Sequence, residues 1–245
     1  MSAGPDRAGS VGLVIALPAE ARSIGVHGVR TGQCRRWRDG WVAVSGIGPH
    51  NAMRAANQLV MQGVAQLANW GVAGALAADL APGDIVIPDR ILHSIGDRGY
   101  EPDAEACQRL AAALSAKLKV SRGALWSAHE AVATGEAKRK LATRSRALVI
   151  DMEAAPVAAV AQRHALPFVA LKAICDTAGQ DLPEGIADTL EQSESGMSLR
   201  MLGAIALAGP QAWRATGRLA ANFARARQAL ATAARLADPM AFTPR

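Results

Sequence analysis

Aromatic residues and cysteines are both scarce in this chain. Aromatic residues make up 4% of its 245 residues and do not alternate with basic clusters, whereas proteins that bind single-stranded nucleic acid stack the bases on aromatic side chains. Cys34, Cys107 and Cys175 lie far apart, a spacing that fits neither a disulfide framework nor a zinc site. We therefore predict buried thiols in a reducing compartment, no metal and no nucleic-acid partner.

Long apolar segments are also missing. No uninterrupted apolar run reaches the roughly 18 residues that a transmembrane helix needs. The small and polar residues of Met1–Ser10 are typical of a disordered terminus rather than of a signal peptide. We therefore predict a cytoplasmic protein. Its net charge of +6, taken alone, would suit nucleic acid, anionic lipid or an anionic substrate, and the scarcity of aromatic residues argues against the first of these.

Half of the residues are hydrophobic and 20% are charged, which is typical of a globular protein with one large core. Short apolar segments alternate with alanine-rich segments along the chain, and this alternation predicts an α/β fold. The predicted strands are Val11–Leu17, Trp41–Ser45, Gln66–Asn69, Asp84–Leu92 with a bend or bulge at Pro88, Ala124–Ser127, Ala147–Ile150 and Pro167–Ile174. The predicted helices are Asn51–Met61, Ala104–Leu118 and Ala154–His164. Residues 11–207 are predicted to form one domain.

Three segments follow predicted strands directly. Gly46–Gly48 and Gly71–Gly74 are predicted to be turns, and Cys175 and Asp176 end the last strand. Because ligands of open α/β sheets bind beyond the carboxyl ends of strands, we expect these segments to converge.

Four carboxylates occupy similar positions: Glu20, Asp151, Glu153 and Asp176. A single acid at such a place is as often a helix cap as a functional group. Four of them favour acid/base chemistry, although both interpretations stay open on the residues alone. Cys175 is either a nucleophile or an unreactive thiol of the core, and its apolar neighbours favour the unreactive thiol.

Six motifs occur in a familiar order. They are Val14–Glu20 (VIALPAE), Ser45–Asn51 (SGIGPHN), Asn69–Leu76 (NWGVAGAL), Pro82–Pro88 (PGDIVIP), Ile150–Ala155 (IDMEAA) and Pro167–Asp176 (PFVALKAICD). This set resembles the superfamily of purine nucleoside phosphorylases and methylthioadenosine/S-adenosylhomocysteine nucleosidases. The resemblance implies a three-layer α/β/α domain around a central twisted mixed sheet, in a homodimer or a higher homo-oligomer.

The resemblance also implies roles for particular residues. Asp176 would protonate N7 of the purine, Glu153 would bind the ribose hydroxyls, Met152 would pack beneath the sugar, and Glu20 would activate water. The expected pocket for the base and the nucleophile is made of Gly48, Val72, Ala73, Gly74, Asp151 and Cys175. Cleavage through a sugar cation requires an acid at the base, and we expect the apolar strand end to favour a protonated Asp176.

The chain departs from the family pattern at positions that concern the nucleophile. Val72 stands where many members have a serine that contacts phosphate or water, and Cys175 stands where serine is common. No arginine clearly matches the phosphate ligands of the phosphorylases, although Arg22 and Arg54 are close in sequence. Anion sites need donors, so we expect hydrolysis without a cofactor and leave phosphate open as a co-substrate.

The last part of the chain, 208–245, is predicted to be a basic helical extension after an apolar helix at Ser198–Leu207. Gln211–Leu236 contains no acid and places Leu219, Phe223 and Leu230 on one helix face. Such a helix either docks on its own domain or lies on anionic lipid at the inner membrane. This tail resembles the hopanoid-biosynthesis-associated subgroup of nucleoside phosphorylases, which implies adenosylhopane, a lipid-linked adenine nucleoside, as the substrate.

Several other functions remain open from the sequence. Methylthioadenosine/S-adenosylhomocysteine nucleosidase and purine nucleoside phosphorylase are the enzymatic alternatives. A non-catalytic nucleoside-binding protein is the alternative outside enzymes, since Val72 and Cys175 permit loss of the chemistry. A nucleic-acid binder would depend on the net charge alone.

Overall fold

The computed structural model describes residues 10–94, 99–181 and 209–237. Its strands are β1 (Val11–Ile15), β2 (Cys34–Trp37), β3 (Gly40–Val44), β4 (Gln66–Ala75), β5 (Ile85–Leu92), β6 (Val120–Ser127), β7 (Val149–Asp151) and β8 (Phe168–Asp176). Its helices are α1 (Pro18–Ser23), α2 (Pro49–Met61), α3 (Ala104–Ser115), α4 (Gly135–Ser145), α5 (Ala154–Arg163) and α6 (Gly209–Leu236). The predicted helix at Ser198–Leu207, the disordered segment before Ser10 and the boundary at residue 207 lie outside the described residues and stay predictions.

The strands form one mixed sheet in the order β2-β3-β1-β4-β7-β6-β5-β8. β8 also pairs with β4 in parallel. This pairing closes five strands into a ring, in the order β4, β7, β6, β5 and β8. The sheet extends from one side of this ring through β1, β3 and β2. This closure brings the carboxyl ends of β4 and β8 side by side. The predicted α/β fold with a mixed sheet is confirmed.

Helices cover both faces of the sheet. One buried cluster joins apolar residues of α1, α3 and α6 to the sheet, and a second joins α2 and α5 to its other face. β8 shows how the sequence produces the two faces. Leu171 and Ala173 belong to the cluster on one face of the sheet, whereas Ala170 and Ile174 belong to the cluster on the other face. The predicted three-layer arrangement is therefore confirmed.

The predicted turn at Gly71–Gly74 is wrong. β4 continues through these residues to Ala75, and its pairing with β8 runs from Leu67 to Gly74 with an irregularity at Ala73 and Gly74. Glycine clusters usually mark turns, but here long-range pairing keeps the chain extended. The predicted irregularity at Pro88 is confirmed, because the register of β5 against β6 shifts between Pro88 and Arg90.

The carboxyl-terminal half of α6 docks on the domain. Ala226, Leu230 and Ala233 recur at helical spacing and are fully buried against the sheet. Leu219 and Phe223, predicted on the same face, are half-buried. No helix within the described ranges is long and apolar enough to cross a membrane.

Candidate active site

Glu20 lies in the first turn of α1, which begins where β1 ends. Its carboxylate accepts hydrogen bonds from the backbone N–H groups of Leu17 and Val72, both at 2.8 Å. The residue is only 1% exposed. Burial raises the pKa of Glu20 above its ordinary value, and the two backbone donors oppose that shift. Glu20 therefore acts partly as a helix cap and also reaches β4.

The glycines of β4 make room for carboxylates from other elements. A Cβ atom at Gly71 would lie 2.8 Å from Oε1 of Glu20, and one at Gly74 would lie 2.9 Å from Oδ1 of Asp176. Both distances are too short for a real Cβ atom. These glycines therefore let two acids approach the strand closely, and a side chain at either position would displace the acid beside it.

Glu153 and Asp151 have different roles although only Met152 separates them. Asp151 Oδ2 accepts from Ala154 N at 2.9 Å in the first turn of α5, so Asp151 is the capping acid. Glu153 makes no capping bond and accepts instead from Gly48 N at 2.9 Å and from Met152 N at 3.3 Å. Burial, together with the charge of Asp151, raises the pKa of Glu153 to about 7. The helix-cap interpretation thus applies to Asp151 and not to Glu153.

Lys172 completes this acidic cluster and is not among the residues predicted from the sequence. Its ammonium lies 2.6 Å from Asp151 Oδ2, and both side chains are almost fully buried. Burial alone would lower the pKa of Lys172, but Asp151 and Glu153 outweigh burial and raise it. A lysine in the middle of the apolar segment PFVALKAI was the available signal, because a buried ammonium needs an acidic partner.

Asp176 ends β8 and is paired with a second buried lysine. The ammonium of Lys138, from α4, contacts Asp176 Oδ2, and the Cys175 thiol lies 3.4 Å from Oδ1. The expected apolar surroundings of Asp176 are therefore wrong. Lys138 was missed because the segment from Lys138 to Lys140 reads as a solvated helix face. Its spacing from Leu141 and Ala142, which pack on a small apolar cluster, was the available signal.

Cys175 is a buried thiol beside a carboxylate. Burial, then the charge of Asp176, raises the pKa of Cys175 well above its ordinary value. A thiol that stays protonated is a poor nucleophile. This supports the interpretation of Cys175 as a packing residue.

The predicted site residues thus fall into two groups. Glu20, Asp151 and Glu153 gather around Lys172, and Asp176 pairs with Lys138. The first group contacts β4 at Gly71 and the second contacts it at Gly74. These two positions are three residues apart, which is roughly 10 Å along a strand. That distance suits the separation of a purine from the far side of its sugar.

The remaining predicted residues frame these groups. Gly48 and Val72 contribute backbone N–H groups, while the side chain of Ala73 is buried in the cluster under α2 and α5. Arg22 and Arg54, considered as phosphate ligands, are exposed, and Arg54 donates to the Asn51 side chain. Within the described ranges no three His, Cys, Asp or Glu side chains are grouped to hold a metal ion.

The raised pKa of Glu153 predicts a pH-dependent stability. Its folded value of about 7 exceeds the ordinary 4.5, so protonation of Glu153 stabilises the fold at low pH and this contribution is lost as the pH rises through 7. We expect Glu153→Gln to have a higher Tm than wild type at pH 8, and a smaller difference at pH 5. Scanning calorimetry at both pH values measures this, with the exposed Glu105→Gln as control. A difference in Tm that does not grow with pH would contradict the prediction.

Comparison with known proteins identifies the family of this chain. The model of the phosphorylase superfamily matches residues 20–205. A 5′-methylthioadenosine/S-adenosylhomocysteine nucleosidase of Oceanobacillus iheyensis is 34% identical over 158 residues, which are 56% of this chain and 68% of that protein. An aminodeoxyfutalosine nucleosidase of Helicobacter pylori is 26% identical over 169 residues, 62% of this chain and 74% of that protein.

Solved structures share the fold. Futalosine hydrolase of Helicobacter pylori strain 26695 superposes with a TM-score of 0.68 at 17% identity, covering 92% of this chain and 95% of that chain. A 5′-methylthioadenosine/S-adenosylhomocysteine nucleosidase of Neisseria meningitidis, in complex with methylthio-immucillin-A, gives 0.62 at 19% identity over 89% of this chain and 99% of that chain. On the match over residues 20–205, this chain belongs to the phosphorylase superfamily.

Proposed function

We propose that the protein is an enzyme that hydrolyses the N-glycosidic bond of an adenine nucleoside. The observation that carries this proposal is that two buried carboxylates lie along one strand: Glu20 packs against Gly71 of β4, and Asp176 packs against Gly74. Two acids on either side of a scissile bond are the arrangement that glycoside cleavage uses. The nucleosidases to which the chain is similar support adenine as the leaving base.

Asp176 acts at the base end of this site. Its Oδ2 is bound to Lys138, and its Oδ1 lies next to Gly74 and 3.4 Å from the Cys175 thiol. As the C1′–N9 bond breaks, its electron pair passes to the purine and N7 takes a proton from the Asp176 carboxyl. Adenine then leaves as a neutral molecule, and Asp176 regains a proton through solvent, which receives in turn the proton that Glu20 takes from the attacking water.

Glu153 and Glu20 act at the sugar end. Glu153, held by Gly48 N at 2.9 Å, accepts hydrogen bonds from the ribose 2′ and 3′ hydroxyls, and Met152 packs beneath the sugar. Glu20 takes a proton from the water that attacks C1′, so that the sugar gains a hydroxyl. The burial that raises the pKa of Glu20 makes it a better base than an exposed carboxylate.

Water is favoured over phosphate as the nucleophile. The Val72 N–H, at the position where family members offer a hydroxyl to phosphate, already donates to Glu20. Glu20, Asp151 and Glu153 outnumber Lys172 in the surrounding cluster. A phosphate dianion would meet buried negative charge there without a free donor among these groups.

The finer proposal is that the 5′ substituent of the nucleoside is a lipid, as in adenosylhopane. Asn222 of α6 donates to Gln180, four residues beyond Asp176, so the basic helix α6 passes beside the site. Arg218 and Arg225 of this helix are exposed, which suits contact with anionic lipid headgroups. Peripheral attachment to the inner membrane and a homo-oligomeric state belong to the same proposal.

Product analysis tests the proposed function. The enzyme is incubated with adenosylhopane, 5′-methylthioadenosine or adenosine, with and without phosphate, and adenine and the sugar product are identified. We expect adenine release independent of phosphate and a sugar product without phosphate. A ribosyl phosphate would overturn hydrolysis, and no adenine from any substrate would support a non-catalytic binding protein.

The same experiment separates the two substrate classes. A soluble 5′-thioadenosine nucleosidase is the second candidate, because the Oceanobacillus relative carries that name at 34% identity. Adenosylhopane cleaved faster than 5′-methylthioadenosine would support the lipid proposal. Rapid turnover of 5′-methylthioadenosine with slow turnover of adenosylhopane would overturn it.

A further inference from the structure

Lys138 is one of the most buried side chains of the molecule, with 1% of its surface exposed. It belongs to α4, an element that contributes none of the acids of the site. Its ammonium contacts Asp176 Oδ2 and donates to the carbonyl oxygens of Thr177 and Gln180, both at 3.2 Å. Because an ammonium group has three donors, these contacts use all of them.

The start of α4 is built to hold this lysine in place. The Gly135 N–H donates to the carboxylate of Asp181 at 2.7 Å. A Cβ atom at Gly135 would lie 2.9 Å from the carbonyl oxygen of Gly179, so the helix packs directly on the turn that follows β8. Lys138 therefore reaches Asp176 from a helix whose first turn is bonded to the segment that follows β8.

The two oxygens of Asp176 consequently differ. Oδ2 is bound to the ammonium, while Oδ1 lies next to Gly74 and 3.4 Å from the Cys175 thiol. When the carboxyl gives its proton to a leaving purine, it becomes negatively charged. A fixed positive charge next to Oδ2 stabilises this charge as it develops, without reorganisation at that moment.

We propose that Lys138 is a positioning residue that acts through Asp176: it orients the carboxyl with Oδ1 toward the purine and stabilises the negative charge that the carboxyl gains on proton donation. The proposal rests on the proposed function, because it assumes that Asp176 protonates the base. In the balanced step, the C1′–N9 electron pair goes to the purine, the Asp176 proton goes to N7, and Lys138 keeps all of its protons.

The test is a double-mutant cycle that compares Lys138→Met, Asp176→Asn and the double variant with wild type. The substrate is the one that the wild type cleaves fastest among adenosine, 5′-methylthioadenosine and adenosylhopane. We expect Lys138→Met to lower kcat about 10²-fold with KM changed less than about threefold, and Lys138→Arg to restore part of the loss. Because Lys138 acts through Asp176, the double variant is expected to match Asp176→Asn within about twofold. Lys140→Met, on the exposed face of the same helix, is the control.

Several outcomes would overturn the proposal. A Lys138→Met enzyme within about twofold of wild type, or losses that multiply in the double variant, would show that Lys138 does not act through Asp176. If Lys138→Met does not fold, Lys138→Gln, which keeps a donor and removes the charge, replaces it in the cycle with the same outcomes. The proposed function fails separately, when wild type releases no adenine or Asp176→Asn loses no activity.

Discussion

Asp176→Asn is expected to release adenine about 10²–10⁴-fold more slowly than wild type, with a similar KM. Asparagine keeps the shape of the side chain but cannot give a proton to N7, so the purine must leave as an anion. Initial rates from adenine absorbance or chromatography measure the effect. Calorimetry of adenine binding checks that the site remains assembled.

Cys175→Ser is the matched comparison for this variant. The Cys175 thiol lies 3.4 Å from the same carboxylate but carries no proton to the base. We expect it to lose far less activity than Asp176→Asn. Comparable losses in the two variants would contradict the assignment of Asp176 as the general acid.

Glu20→Gln is expected to have the second large effect, a loss in kcat of about 10²–10⁴-fold. The amide cannot take a proton from the attacking water. In addition, both oxygens of the Glu20 carboxylate accept hydrogen bonds, from the N–H groups of Leu17 and Val72. In glutamine an NH₂ group replaces one of these oxygens, so one of the two hydrogen bonds is lost. The same adenine assay measures the loss, and a melting curve shows how much of the variant is folded.

Glu136→Gln, at an exposed position of α4, is the control for Glu20→Gln. Burst kinetics add a second criterion, because a missing base slows the chemical step and leaves product release unchanged. A folded Glu20→Gln enzyme with wild-type kcat would contradict the role of Glu20. Activation of that variant by phosphate would instead indicate an anion as nucleophile.

The sequence predicted the parts of the site that local patterns determine. Short apolar segments bounded by glycine and proline predicted most strands. Glu20 and Asp176 were expected just beyond the first and at the end of the last of these segments, and they lie in α1 and at the end of β8. Their convergence followed from the general position of ligands in α/β sheets. The six ordered motifs then predicted the family, which the match over residues 20–205 confirmed.

Long-range contacts determine what the sequence did not predict. Asp176 and Lys138 lie 38 residues apart, so that no local pattern joins them, and a lysine beside two other basic residues is usually solvated. Glycines in β4 were assigned to a turn because their contacts with Glu20 and Asp176 come from distant segments. The docking of α6 stayed open for the same reason, since its alanines suit a protein core as well as a lipid surface.

The close approach of acids to β4 has a practical consequence for protein engineering. Residues 71 and 74 have no space for any side chain while Glu20 and Asp176 keep their positions. Random libraries that vary these two codons should therefore return glycine among active clones. Attempts to widen the range of nucleosides accepted by this enzyme should instead diversify the residues that surround the 5′ end, and leave β4 unchanged.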